Sequence, residues 1–440
     1  MALSYSVGLA KVLHVAEEQR RLRGDSRELV PLHSAVGGIA AENVVSPRSI
    51  PEHDTSAMDG YAIRSQATAK ASPDTPVVFK VQGTIAAGDD PREALGQQPT
   101  NPDTDAVEIM TGAIFPDGYD ACVKLETAVL VGGGPGEQGR HILVTKPVEP
   151  HANRRFAASD MLEGDIVIRQ GDTVRPSHIL PLASLGLDSI PLVRKPRVGV
   201  WSTGKEMRNG HGATRDANGP YLTAALREIG AQADFLGVLD DDPTSLHDRV
   251  REAAESRKFD LLLTSGAVSK GKFDHVRHVL DQIGAEIIFH GLAIRPGHPV
   301  LFALIPGNEG RRTAFFGLPG NPGAAAACFR FLTVPYLRAL QGQEAEQPIL
   351  ARLLQRPTSP DTDNNARRSC HPMPETDCFR HGILPATPTG QMIVEPSREQ
   401  SPAKLGPFTT ANCWVHFRPG AGAEEVVECY PLDPSTSFFT

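Results

Sequence analysis

The sequence predicts a multidomain α/β plus β protein: a central open α/β domain, an inserted β-rich domain and a small C-terminal β-barrel. Three observations carry this. Strand and helix patterns alternate from Pro196 to about residue 343, as in a sheet covered by helices. Between Leu29 and Leu192, short β-rich runs (PVVFKV, DAVEIM, DACVKLE, AVLV, RHILVT, DIVI) are cut by Gly, Pro and Asp turns. After Gln341 the chain becomes Pro- and Thr-rich (RPTSPDTDNN) and then breaks into the short strands GQMIVE, CWVHF and EVVECYPL. The expected units are residues 1–45 with 150–195 (helical and mixed), 46–149 (inserted, β-rich), 196–343 (α/β) and 344–440 (barrel).

Residues 5–22 place Val7, Ala10 and Leu13 at helical spacing, with Leu9, Val12 and Ala16 beside them, and predict an amphipathic helix. Asp172–Leu187 predicts a short helix leading into the α/β unit. There VGVW (198–201) is a strand, followed by a loop to Gly219. Asn218 is positioned to cap a helix over 220–229 with Pro220 in its first turn. DFLGVL (234–239) is the next strand, and Asp242 caps a helix over 243–256. FDLLLTS (259–265) is almost continuously apolar, as a strand buried on both faces requires. A helix near 274–283 follows, then strands in IIFHGLAI, VLFALI and TAFFGL, and a helix from Asn321 through Leu340.

Composition narrows the function. The 440 residues carry 44 Lys and Arg against 52 Asp and Glu, a formal charge of −8, which argues against nucleic acid as a partner. No apolar run reaches the ~18 residues of a membrane span, and the N-terminus lacks a secretory pattern. Six scattered Cys without a CxxC pair predict a reducing, cytoplasmic setting. Cys370, Cys378, Cys413 and Cys429 lie in one region with His371, His381 and His416. They lack the paired spacing of a zinc site, so the thiols are read as small apolar residues.

Three loops follow strands of the α/β region: WSTGKE, TSGAVSKGKFD and GLPGNPGAA. In open α/β sheets, ligands bind beyond the carboxyl ends of the strands. Glycine lets backbone N–H groups approach an anion, and a helix N-terminus adds a positive dipole end. One such loop is an ordinary turn; three at one rim predict an anionic ligand, a phosphate ester by class. Gly266–Lys272 fits GxxxxGK, but Phe273 follows, so the hydroxyl that an NTPase P-loop gives to Mg2+ is missing. GGGPGEQG (132–139) opens no helix and reads as a turn. Arg295 in RPGHP suits an oxyanion through its forked donors, and His298 can add another. Asp54 with Asp59, Asp160 with Asp165, the run Asp240–Asp242, Glu206 and Asp274 are the acidic candidates. Carboxylates beside a phosphate suit Mg2+, although each taken singly is explained as a cap or turn residue.

Read together and in order, these motifs resemble the molybdopterin molybdenumtransferase family, of the MoeA and gephyrin C-terminal type. SAMDGYAI matches the family's SAMDGYA. EIMTGAIFPDGYDACVKLE is similar to IMTGAPxPxGADAVVxxE, and NRRFAASDMLEGD to NxRxxGEDxxxG. VGVWSTGKEM resembles VxxxSTGDEL, and TSGAVSKGKFDHV resembles TSGGVSVGDYDxV. AIRPGHP is similar to KPGKP, FGLPGNPGAA to FGLPGNPVSA, and QSPAKLGPFTTANCWV to SxxLxSLxxAN. The resemblance covers nearly the whole chain.

The resemblance implies an enzyme that inserts molybdenum from molybdate into adenylated molybdopterin, with Mg2+ as cofactor and a central pterin-binding α/β domain. It implies an elongated homodimer with a cleft built partly between chains, and a separate adenylating protein as a partner. Carried over by position, Asp59, Thr111, Asp160, Glu206 and Asp274 are the catalytic candidates, with Glu206 and Asp274 as Mg2+ ligands. Ser202, Thr203, Gly204, Asn218, Ser265, Gly266, Ser269, Gly271, Gly320, Asn321 and Pro322 are implied in holding the pterin phosphate or nucleotide. Arg295, His298, Arg380 and Ser401 are implied in holding molybdate. The sequence departs from the family at Lys205 (acidic in STGDEL), at Lys270 and Lys272 (Val and Asp in SVGD), and at Ala158–Ser159 (Gly-Glu). It departs again at Ala324 (Ser) and in KPGKP, where Arg295 and a mostly neutral His298 replace lysines. These departures leave a non-catalytic paralogue, binding molybdopterin or a partner protein, as the alternative.

Overall fold

The computed structural model describes residues 2–24, 27–96, 101–132, 139–204, 215–239, 242–267, 275–354, 375–385, 391–397, 401–420 and 426–433. Helix α1 spans Tyr5–Leu22, with the Ser4 hydroxyl accepting from the Val7 N–H at 3.4 Å. Its buried face runs through Gly8, Val12, Val15 and Ala16, while Val7 and Ala10 are exposed and Leu13 is half-buried. The expected seam was therefore rotated. The reason is Gly8: a Cβ there would stand 2.6 Å from Leu292, so a bare backbone is what lets the helix lie on that side chain. Val12, Val15 and Ala16 join the core of the α/β unit.

Arg27–Pro31 pairs antiparallel with Ser189–Val193, and Val44–Val45 with Ile166–Ile168. With the helix Pro176–Ser184 they enclose Leu32, Val174, Leu182 and Ile190. Between these ladders runs a sheet of β1 (Gly60–Ile63), β2 (Val77–Ile85), β3 (Asp105–Ile109), β4 (Ala121–Lys124), β5 (Val129–Val131) and β6 (His141–Val144). Its order is β4-β1-β3-β2-β6-β5. It carries one apolar cluster around Phe79 and Ile142 and another around Ile85, Ile109 and Cys122.

The α/β unit holds β7 (Arg197–Thr203), α2 (Asn218–Glu228), β8 (Gln232–Leu239), α3 (Pro243–Glu255), β9 (Leu261–Ser265), α4 (His275–Gln282), β10 (Glu286–His290), β11 (Ile294–Arg295), β12 (Leu301–Pro306), β13 (Arg312–Leu318), α5 (Pro322–Cys328) and α6 (Val334–Leu340). The sheet order is β8-β7-β9-β13-β12-β10. The first four strands are mutually parallel, whereas β12 and β10 attach antiparallel. Every residue of β9 is buried, as its apolar run predicts. Asp242 caps α3 by accepting from the Ser245 N–H at 2.8 Å. The run IIFHGLAI is divided, because Gly291 takes a φ of +96° and the chain turns away. β10 stays in this sheet, and β11 joins another.

The C-terminal strands are β14 (Ile349–Leu353), β15 (Asp377–Ile383), β16 (Ile393–Pro396), β17 (Cys413–Phe417) and β18 (Val426–Pro431). They run β15-β16-β14-β18-β17, and the β15–β17 pairing closes the barrel. β14 and β15 add to the three strands visible in the sequence. Five cysteines, Cys122, Cys328, Cys378, Cys413 and Cys429, are free and buried. Cys370, His371 and RPTSPDTDNN lie outside the described residues, as do 133–138 of the GGGPGEQG turn. Among the described residues, no helix is long and apolar enough to cross a membrane.

Between α5 and α6 the helix makes a π turn, Phe329–Thr333, and this turn docks the barrel. Buried Arg330 donates from Nε to the Pro431 carbonyl at 3.2 Å and from Nη2 to Glu346 at 2.7 Å. Phe331 stacks on Phe379 with ring centroids 3.9 Å apart. Beside them His416 lies between two carboxylates, Asp377 on Nε2 and Glu428 on Nδ1, each at 2.8 Å. Arg418 also reaches Glu428, and the Tyr5 and Phe379 rings pack on the imidazole. Burial disfavours the imidazolium, but the two hydrogen bonds win and its pKa lies above the ordinary value. The His416 hydrogen bond, against burial, pulls Glu428 down to about 2.

At the amino ends of the strands, buried Asp260 accepts from Arg23 at 3.0 Å, Arg194 at 3.1 Å, Arg311 at 3.2 Å and the Arg197 N–H at 2.8 Å. Removing one side of a buried ion cluster strands the other. Asp260→Ala should therefore lose about 3–5 kcal/mol in chemical denaturation. The His416 clamp sets a pH window. Glu428 contributes fully above its unfolded pKa of about 4.5, and His416 contributes fully below about 6.5. Barrel stability, followed by fluorescence of buried Trp414, should fall as pH drops toward 2 and again as pH rises through the elevated His416 pKa. The alkaline fall should vanish in His416→Gln.

Candidate active site

The three parallel strands β7, β9 and β13 end level. Ser202 is in register with Ser265, and Ser265 with Leu318. Their following loops therefore leave the sheet side by side. Thr203 donates from Oγ1 to the Ser265 carbonyl at 3.0 Å, tying the first loop to the second. Gly266, with φ of +99°, continues the ladder by donating to the Leu318 carbonyl at 2.9 Å. A Cβ on Gly266 would stand 2.5 Å from Thr203 Oγ1, and one on Gly320 would stand 3.5 Å from the Gly266 Cα. Only glycine satisfies both the torsion and the contact at 266.

Asn218 does not cap its helix. Ala217 is the N-cap, and α2 begins at Asn218 itself. The buried Asn218 amide instead donates to Ser265 Oγ at 2.7 Å and to the Gly320 carbonyl at 2.8 Å. One carboxamide thus joins the loops after β9 and β13 to the start of α2. A cap bond and this bridge compete for the same side chain, and the bridge satisfies the buried Asn218 amide.

Asn321 is the N-cap of α5 and Pro322 its first residue. The Gly323 N–H donates to the Pro402 carbonyl at 2.8 Å, which brings neighbouring Ser401 to the same helix start. A Cβ at 323 would lie 3.0 Å from that carbonyl oxygen. Glycine in place of the family's Val admits this approach.

Two further oxygens at the rim are available. Ser202 Oγ and Asp216 Oδ2 are buried without a hydrogen-bond partner among the described residues. Both lie within 2.8 Å of where a Gly219 Cβ would stand. Sequence reasoning missed Asp216, Gly323 and Pro402. The spacing Asp216-x-Asn218 is a signal for the first; nothing local marks the other two.

The oxyanion candidates are distributed. Arg295 closes β11, opposite Cys378 on β15. His298 Nδ1 donates to the Leu292 carbonyl at 2.7 Å, so the ring presents Nε2 outward from that bond. Arg380 lies two residues beyond Cys378, on the strand face opposite Phe379 and His381, with its guanidinium 5.1 Å from the Phe417 ring centre. In the N-terminal half, Asp59 Oδ1 accepts from the Thr111 N–H at 2.6 Å and Oγ1 at 2.8 Å. Those bonds hold the Asp59 carboxyl below its usual range. Asp160 instead pairs with Arg155. No hydrogen bond or ion pair between described residues joins Asp59 or Thr111 to the loop rim. Gly204 ends the described part of its loop. Lys205, Glu206, Ser269, Lys270, Gly271, Lys272 and Asp274 lie outside the described residues.

Residues 7–186 match the MoeA N-terminal region (domain I and II), and residues 199–339 match a probable molybdopterin binding domain. The chain is 31% identical to a molybdopterin molybdenumtransferase of Synechococcus elongatus, covering 94% of this chain and 95% of that one. It is 30% identical to one of Haemophilus influenzae, covering 92% and 93%. The fold superposes on the crystal structure of a molybdopterin biosynthesis MoeA protein from Pyrococcus horikosii with a TM-score of 0.73. That pair is 27% identical and covers 96% of this chain and 98% of that one. With these likenesses spanning all of its units, the chain belongs to the molybdopterin molybdenumtransferase (MoeA) family.

Proposed function

We propose that this protein is a molybdopterin molybdenumtransferase, inserting molybdenum from molybdate into adenylated molybdopterin in molybdenum cofactor biosynthesis. The observation that carries the reading is the Asn218 bridge, which fixes the loops after β9 and β13 at one sheet rim. The backbone N–H of Gly320, with the positive dipole end of α5 beside it, then offers a preorganised donor to phosphate. Ser202, Thr203 and Ser265 complete the wall of that path, and Ser269 and Gly271 are assigned to the same ligand by their motif. Arg295, His298, Arg380 and Ser401 take molybdate, with Ser401 held near α5 by the Pro402–Gly323 bond.

Glu206 and Asp274 are the proposed Mg2+ ligands. Asp216 Oδ2, buried without a partner among the described residues, supports a hard cation at this rim, since such ions take oxygen ligands. Mg2+ there would supply charge neutralisation for the adenylate phosphates. Asp59, Thr111 and Asp160 belong to the reading through a homodimer, in which a second copy brings them across the cleft. Among the described residues no direct bond joins them to the rim within one chain, which supports that arrangement. The buried free thiols suit a reducing cytoplasm, where a separate protein would supply the adenylated pterin.

Purified protein, adenylated molybdopterin and molybdate should restore activity to a cofactor-free molybdoenzyme. Asp59→Ala and Asp274→Ala should each lower that yield by about 100-fold with unfolding unchanged. Pterin binding without any restored activity would place the chain as a scaffold instead. A second prediction concerns His298. With Nδ1–H committed to Leu292, its Nε2 donates to an anion only as imidazolium. His298→Lys, which restores the family residue and a fixed cation, should therefore tighten molybdate binding, read by calorimetry.

A further inference from the structure

A cavity lined by arginines lies at the opposite end of the sheet, where α1 and α6 end side by side. Their last turns, with the segment around Ala40 and Gln170, enclose a cavity of about 140 Å³. Arg20, Arg23 and Arg27 line it. The Arg23 side chain is nine-tenths buried, with 10% exposure. Its Nη2 meets Asp260 at 3.0 Å, but Nε and Nη1 are buried without a partner among the described residues. One turn earlier, Gln19 Nε2 is buried and unpaired in the same way. Buried guanidinium donors left unmatched are rare and costly, and here two belong to a cation that burial already disfavours.

The neighbouring charges sharpen the case. Among the described residues, Arg23, Arg194 and Arg311 share the carboxylate of Asp260, and Arg20 beside them has no ion pair. This excess of cations stands in a chain of formal charge −8. Capping does not account for it. The final carbonyls of α6 are taken by the N–H groups of Gln341, Gly342 and Gln343, and that of Arg21 by Gly24. Arg20 has no hydrogen bond or ion pair among the described residues, and its Nη1 reaches 2.9 Å from where a Gly342 Cβ would stand. Gly342 and Gly171 abut so closely that a Cβ on Gly171 would be 2.7 Å from the Gly342 carbonyl oxygen. Two bare turns thus form the wall against which Arg20 lies.

We propose that this cavity binds a tetrahedral oxyanion of the phosphate class, either free phosphate or the phosphate group of a small ester. Arg20 and Arg23 are its principal donors, since forked guanidinium groups match such oxygens. The site is separate from the loop rim and does not rest on the reading given to that rim. Because its walls come from α1, α6 and the Ala40 segment, a bound anion would fasten the N-terminal helix and the mixed unit to the α/β core.

The test uses the full-length protein at fixed ionic strength, titrated with inorganic phosphate and, in a parallel arm, with glycerol phosphate. Calorimetry and thermal unfolding are read for the wild type, Arg20→Ala, and Arg295→Ala at the opposite rim. The expected result is a saturable heat and a rise in unfolding temperature in the wild type and in Arg295→Ala. Arg20→Ala should weaken binding at least tenfold. Binding of inorganic phosphate identifies the free ion as sufficient; binding of the ester alone identifies an esterified ligand. No saturable heat in either arm overturns the site. So does binding that Arg20→Ala leaves unchanged, or that only Arg295→Ala removes.

Discussion

The candidate site depends on one buried carboxamide. Asn218 lies at the start of α2, yet its side chain holds the loops after β9 and β13 together through Ser265 and Gly320. A hydrogen bond of this kind contributes only about 1 kcal/mol net. Its larger consequence is geometric. The glycines of these loops carry no side chains to position them, so the backbone donors at the rim would splay without a tie. The alternative for the Asn218 amide is a buried unpaired donor, which costs about 1–3 kcal/mol. That asymmetry makes the bridge, and with it the loop arrangement, the stable choice.

Much of the fold was legible in the sequence because burial writes a period. The alternation of strand and helix from Pro196, the all-apolar β9 and the Asp242 cap each follow from a local rule and appear in place. What was not legible depends on contacts distant in sequence. The α1 face was misplaced because Gly8, apolar in no useful sense, is buried only to admit Leu292. IIFHGLAI reads as one strand, but the turn at Gly291 sends β11 into the barrel. Barrel strands β14 and β15 are short of alternating pattern. β15, reading DCFRHGI, buries polar Asp377 and His381 along with Cys378 and Phe379, since both faces meet protein.

The site was legible to the same degree. Its glycine loops are visible as punctuation after strands, and the register of β7, β9 and β13 brings them to one rim. The role of Asn218 was not, because Asn before a Gly-Pro is a good cap by local rule. The outcome turned on Ser265, 47 residues away. Gly323 is a similar case. Its lack of a side chain has meaning only once Pro402, from the barrel, is seen to lie on it.

That contact shows why the docking of the barrel matters to the rim. Ser401 and Pro402 belong to a loop of the barrel, whereas Gly323 opens a helix of the α/β unit. A 2.8 Å bond between them requires the two units to hold a fixed relation. The π turn supplies it. Its wider loop turns Arg330 and Phe331 onto the barrel, where they meet Pro431, Glu346 and Phe379. Tyr5 of α1 completes the same cluster by packing edge-on against Phe379 and His416. An N-terminal helix, a distorted helix of the α/β unit and a barrel strand therefore share one aromatic core. The α5 N-terminus sits at the edge of what that core holds rigid. A change at Phe331 or His416 would reach it without touching any residue of the rim, since the barrel carries Pro402 with it.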